Sequence, residues 1–125
     1  MTAAETVHEY FDALVAEDGD RLTALMARAP HFTKIGTDEG EWVEGCDRIA
    51  EYFAGVAAST EGLRIDTRRL RIEEREGVAW FRALQVWRLT WSGRDETLQM
   101  RLTGVLERVD GAWRFVQIHA SVGES

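Results

Sequence analysis

Residues 97–122, TLQMRLTGVLERVDGAWRFVQIHASV, read as two long strands folded back on each other at Asp110-Gly111. Both turn residues tolerate left-handed backbone, which an antiparallel reversal needs, and β-branched and aromatic residues alternate with polar ones on either side. A three-residue turn over Val109-Asp110-Gly111, with Gly111 left-handed at a bulge, pairs the strands with matched parity. One face then carries Met100, Leu102, Gly104, Leu106, Val116, Ile118, Ala120 and Val122. The other carries Gln99, Arg101, Thr103, Gln117, His119 and Ser121, with Val105, Phe115 and Trp113 toward the turn. A one-residue slip would mix the two sets, so the separation supports the register.

Working back toward the N-terminus, residues 63–75 and 78–91 have the same strand character, with turns at Glu76-Gly77 and Ser92-Gly93. The strand over 78–91 is expected to add Trp80, Arg82, Leu84 and Val86 to the apolar face, and Phe81, Gln85, Trp87 and Leu89 to the polar one. The first half changes period. Thr2 and Glu5 have capping-box spacing, and Val7, Tyr10, Phe11, Leu14 and Val15 recur on one helical face. Asp18-Gly19-Asp20 stops that helix and caps a second, with Leu22, Leu25 and Met26 inward, ended by Pro30. A short hairpin over 31–36 and 41–44 follows, and Gly45-Cys46-Asp47 opens a third helix bearing Ile49, Tyr52, Phe53 and Val56. Helices first and an antiparallel meander after them give an α+β fold, with helices on one face of the sheet.

The 125 residues suffice for one domain, and no linker or repeat divides 1–125. Hydrophobic residues make up 45% and charged residues 30%, the balance of a folded chain rather than a disordered one. A net charge of −7 opposes nucleic acid. Arg64, Arg68, Arg69, Arg71 and Arg75 are interleaved with Asp66, Glu73, Glu74 and Glu76, as on a solvated strand face. No apolar run has the ~18–20 residues of a membrane helix, and Met1 to Glu5 lack the basic start of a signal peptide. The single Cys46 forms no internal disulfide, which fits a reducing, cytoplasmic setting. His8, His31 and His119 share no metal-ligand spacing, and no glycine-rich phosphate loop occurs, so no metal or cofactor is expected.

The order of elements and four local strings resemble the nuclear transport factor 2-like (cystatin-like) superfamily, in particular its SnoaL-like domains and the association (hub) domain of calcium/calmodulin-dependent protein kinase II. The strings are Asp18-Gly19-Asp20; Val43-Glu44-Gly45 with Asp47 and Tyr52-Phe53; Ala79-Trp80-Phe81-Arg82; and Asp110-Gly111-Ala112-Trp113 running on to His119 and Ser121. The resemblance implies three N-terminal helices on a strongly curved antiparallel sheet, a pocket between them, and a homodimer built on the sheet's outer face. Arg82 falls on one of the hub's pocket arginines, while Gly104 and Ala120 stand where two others would be. The resemblance fixes no chemistry, because the superfamily holds enzymes and binding modules alike.

Candidate chemistry follows from the expected faces. Arg82, alone on an apolar inner face, would anchor a carboxylate through its guanidinium fork or pair with Glu9 or Asp12 on the helices. Trp42, Trp80, Tyr10 and Tyr52 would border the same pocket, and Tyr10 could donate to a ligand oxygen. Each also suits a plain core. Steroid-isomerase chemistry needs a carboxylate base and a strand acid; by the resemblance the family's base position falls near Gly36 and its strand acid on Thr103, neither of which is acidic, and Asp38, Glu39 and Glu41 read as turn and edge residues. His119 with Arg101, Thr103, Gln117 and Trp87 forms either a dimer interface or, if a bulge flips the register, a polar pocket with His119 as acid or base. The expected function is binding of a small, mainly apolar molecule with a carboxylate or carbonyl end. An isomerase, cyclase or lyase with Tyr10, Arg82 or His119 in proton transfer, and a hub-like assembly module, are the alternatives.

Overall fold

The computed structural model describes residues 1–123. Three helices, α1 (Ala3–Val15), α2 (Gly19–Ala24) and α3 (Ile49–Ser59), pack on one face of a six-stranded sheet. Its strands are β1 (Thr33–Ile35), β2 (Trp42–Glu44), β3 (Thr60–Arg75), β4 (Val78–Trp91), β5 (Arg94–Val109) and β6 (Ala112–Val122), in the order β2-β1-β6-β5-β4-β3. The α+β, nuclear transport factor 2-like architecture expected from the sequence is present. One detail differs: β1 runs parallel to β6, so the sheet is mixed.

The local signals act as expected. Thr2 and Glu5 form the reciprocal capping box, the Glu5 amide donating to Thr2 Oγ1 (3.0 Å) and the Thr2 amide to Glu5 Oε1 (2.8 Å). Asp18 caps α2 by accepting from the Arg21 amide. A short 3-10 turn (Cys46–Arg48) precedes α3. Glu76-Gly77, Ser92-Gly93 and Asp110-Gly111 all have positive φ at both residues, the geometry of two-residue hairpin turns.

Those two-residue turns correct the expected faces. Ser92-Gly93 sets Trp91 opposite Arg94, so odd-numbered β4 residues pair with even-numbered β5 residues: Phe81 with Gly104, Ala83 with Leu102, Gln85 with Met100, Trp87 with Leu98. Phe81, Ala83, Gln85 and Trp87 therefore join the inner face. Trp80, Arg82, Leu84 and Val86 turn to the outer one, the reverse of the sequence expectation. Asp110-Gly111 likewise makes a tighter turn than expected, pairing Val109 with Ala112 and Leu106 with Phe115. Phe115 consequently points into the core. The extra residue sits not at Gly111 but at Val116, where the register shifts. Beyond that bulge the matched parity holds, with Thr103 opposite His119 and Met100 opposite Val122.

The core lies between α1 and the inner face. Tyr10 stacks on Phe115 (centroids 5.1 Å apart), and Phe81 meets both Phe11 and Phe115 edge-on at 6.0 Å. Gly104 makes this possible: a Cβ there would lie 2.9 Å from the Gln117 carbonyl oxygen and closer still to the Phe81 ring. The aromatic crossing thus requires a residue without a side chain.

Candidate functional site

Beside this aromatic cluster the helices and sheet form a partly open cavity of about 330 Å³. Leu14 from α1, Phe53 and Val56 from α3, and Trp87, Leu98 and Met100 from the sheet give it apolar walls. Its polar groups come chiefly from one region: Tyr10, Lys34, Asp38, Glu41 and Tyr52.

Lys34 is the centre of that polar end. In the three-residue strand β1 only the middle residue is buried, and Lys34 pairs with inward-facing Ile118 while Thr33 and Ile35 turn outward. Its residue exposure is 5%, unusual for an ammonium. Nζ makes a long hydrogen bond to the Ile35 carbonyl oxygen (3.4 Å) and lies 5.7 Å from the centre of the Tyr52 ring. Among the described residues no ion pair joins it to a carboxylate. Burial lowers its pKa to about 8, and the nearby Glu41 charge offsets only part of that shift.

Glu41 precedes β2 and turns back into the cavity. The Tyr52 hydroxyl donates to Glu41 Oε2 at 3.0 Å. Burial raises the Glu41 carboxyl above the usual carboxylate range, Asp38 adds to the rise, and the Tyr52 hydrogen bond opposes it. Tyr52 is itself pushed well above the ordinary phenol range, first by burial and then by the Glu41 charge. Gly36 leaves the space for this carboxylate, since a Cβ there would lie 2.6 Å from Glu41 Cβ and overlap the carboxyl group. Tyr10 is raised by burial, and it lines the cavity with no side-chain hydrogen bond to another of the described residues.

Of the residues expected to border the pocket, Tyr10 and Tyr52 line the cavity, and Arg82, Trp80 and Trp42 do not. Arg82 lies on the outer face, its side chain 56% exposed, 3.6 Å from Glu73. Trp80 is beside it and donates to the same carboxylate at 3.0 Å. Trp42 is 58% exposed on the edge strand, because Val43 is the one inward residue of β2, and its indole donates to Glu44. Trp87 moves the other way. Expected at an interface, it lines the cavity with its indole donating to buried Gln85 (2.8 Å). Arg101, Thr103, Gln117 and His119 share the outer face as expected, and all are exposed. His119 is therefore across the sheet from the cavity and cannot act as an acid or base within it. Among the described residues no group of His, Cys, Asp and Glu is placed to hold a metal ion.

Sequence patterning assigns Asp38 and Glu41 to turn and edge positions and does not single out Lys34. Alternation over so short a strand favours Ile35 inside, and the parallel pairing with β6 reverses it. A signal did exist: of the fifteen lysines and arginines, Lys34 is the one lysine.

With this geometry the family can be stated. Residues 3–124 match the SnoaL-like domain family. The chain belongs to that family. Among solved structures, this SnoaL-like chain is similar to a proposed dehydratase of the NTF2-like family from Streptomyces avermitilis (TM-score 0.86, 14% identity, covering 98% of this chain and 94% of that one). It is also similar to a proposed scytalone dehydratase from Novosphingobium aromaticivorans (TM-score 0.81, 15% identity, 97% and 81% covered). A proposed calcium/calmodulin-dependent protein kinase II association domain from Xanthomonas campestris aligns with TM-score 0.77 and 21% identity over 100% and 91% of the two chains. At these identities the likenesses establish the SnoaL-like fold alone. No curated protein matches the sequence. No helix among the described residues is long and apolar enough to cross a membrane.

Proposed function

We propose that this SnoaL-like domain binds a small, mainly apolar molecule through a carboxylate or carbonyl end held at Lys34. The observation that carries the proposal is the buried Lys34 ammonium, which faces a largely apolar cavity with no carboxylate within ion-pair distance among the described residues. A buried charge costs several kcal/mol unless a partner offsets it, and an acidic ligand supplies that partner. Tyr10 offers a second donor, and Trp87 and Phe53 give a flat ligand apolar surface. Arg82, expected to be the anchor, is displaced from this role by its outer-face position. The test is calorimetric titration with 2-naphthoate. Binding that weakens about tenfold or more in Lys34→Met, the cost of one charge-assisted contact, and is unchanged in Arg82→Leu supports the reading; equal binding by the wild type and Lys34→Met overturns it.

The Glu41–Tyr52 pair supports a second, enzymatic reading of isomerase or lyase type. A partly buried carboxyl with a raised pKa is suited to taking a proton from carbon next to a carbonyl, and the Tyr10 hydroxyl or Lys34 to holding the resulting enolate oxygen. Solvent-deuterium exchange into 2-tetralone, lost in Glu41→Gln, is the outcome this reading expects. Exchange no faster than in buffer rejects it.

The outer face suits a homodimer. Leu84 is exposed there, flanked by Arg101 and Thr103, with His119 and Gln117 on the next strand. Light scattering of the purified chain reads the assembly: a dimer disrupted by Leu84→Glu supports the face, and a ring of many subunits supports a hub-like module instead. The single free Cys46 suits a cytoplasmic setting.

A further inference from the structure

We infer that Lys34 is a covalent site for aldehydes, forming an imine with a carbonyl compound held in the cavity; this rests on the cavity being a binding site. Three features place the chemistry there. First, the chain's one lysine is turned into the cavity from a three-residue strand, while all the remaining Lys/Arg positions are arginine, which has no comparable nucleophilic amine. Second, its Nζ has only a long hydrogen bond to the Ile35 carbonyl and no carboxylate partner among the described residues, leaving its lone pair free on deprotonation. Third, Glu41 lines the same cavity close enough for its charge to act on Lys34, and is held by Tyr52. Burial adds to this by bringing the amine's pKa to about 8, so a useful fraction is neutral near pH 7.

The steps balance. The neutral Nζ attacks the carbonyl carbon and a C–N bond forms. The carbonyl π pair moves to oxygen, which receives the proton that nitrogen gives up, producing a carbinolamine. Glu41, protonated by the proton that the Lys34 ammonium gives up on becoming neutral, passes that proton to the hydroxyl; the C–O bond breaks and water leaves. The nitrogen pair completes a C=N bond, leaving an iminium beside the Glu41 carboxylate. No oxidant or reductant is required. Leu14, Phe53, Val56, Trp87 and Met100 fit the hydrocarbon of the aldehyde.

The experiment uses the intact chain with 2-naphthaldehyde at pH 7.5, followed by borohydride reduction and peptide mapping. Since Lys34 is the only lysine, the α-amino group is the sole competing amine and serves as an internal reference. Labelling of Lys34 should exceed that of the α-amine by about tenfold or more, as effective concentration in a binding cavity implies, and excess 2-naphthalenemethanol should suppress it. Label confined to the α-amine, or label on Lys34 that unfolding in urea does not diminish, overturns the inference. Tryptophan quenching by 2-naphthalenemethanol separates the two claims. Quenching without trapped Lys34 rejects the imine and keeps the binding site, while neither quenching nor trapping rejects both.

Discussion

The Tyr52 hydroxyl and the Glu41 carboxylate, eleven residues apart, meet at 3.0 Å across the cavity's polar end. The bond ties α3 to the loop before β2, and it fixes Glu41 within the electrostatic reach of Lys34. Because the hydrogen bond favours the ionised carboxylate, it opposes the rise that burial imposes. Tyr52→Phe should therefore move the Glu41 pKa further upward and cost about 1 kcal/mol of stability. Carboxyl carbon NMR titration with glutamate labelling, alongside urea unfolding, reads both; a Glu41 pKa that stays put or falls would show that the bond does not form in solution.

Lys34 makes stability depend on pH in a defined direction. Its folded pKa of about 8 lies below the ordinary lysine value of 10.5, so between them the unfolded chain binds more protons and stability rises with pH. The penalty is fully present below about 8 and gone above 10.5. Lys34→Met removes a buried charge worth roughly 3 kcal/mol of penalty at neutral pH, so the variant should melt higher than the wild type at pH 7. The gap should close as pH rises toward 10.5. Parallel thermal melts across that range check it, and a variant less stable than the wild type at pH 7 contradicts it.

Gly104→Ala should cost about 1–3 kcal/mol, the range for overpacking a filled core. The new methyl would meet the Phe81 ring on one side and the Gln117 carbonyl on the other. Backbone cannot give way as a side chain can. Chemical denaturation measures the loss, and a shift of less than a few tenths of a kcal/mol would mean that Phe81 is not fixed over this glycine.

Arg82→Leu should do almost nothing to stability. The arginine's pairing with Glu73 is at an exposed position, and such surface substitutions usually fall within about 0.5 kcal/mol. A large loss on urea unfolding, at a concentration where the chain is monomeric, would mean that the Arg82–Glu73 contact is worth more than a surface pair.

The elements were legible in the sequence because their signals are local: the Thr2/Glu5 box, the Asp18 cap and the three X-Gly turns each act within a few residues. The faces were harder. Parity depends on whether a turn spans two residues or three and on where a bulge falls, and neither Ser92-Gly93 nor the Val116 bulge declares itself by hydrophobicity. The two-residue Ser92-Gly93 turn is what places Arg82 and Trp80 on the outer face and Trp87 against the cavity. Tyr10 and Tyr52 survived because helical periodicity is unaffected by strand register. Lys34 was hidden for a third reason: its orientation is set by a parallel pairing with β6, more than eighty residues away in sequence.

Lys34 is a buried amine with no carboxylate partner among the described residues, and as the chain's one lysine it can be read directly. With ¹³C at lysine Cε, the protein gives a single lysine signal. That signal should titrate near pH 8 in the free protein and shift to higher pKa when 2-naphthoate fills the cavity, because an opposite charge favours the ammonium. A signal that titrates near the free-lysine value of about 10.4, unmoved by the ligand, would place Lys34 in water and contradict the account.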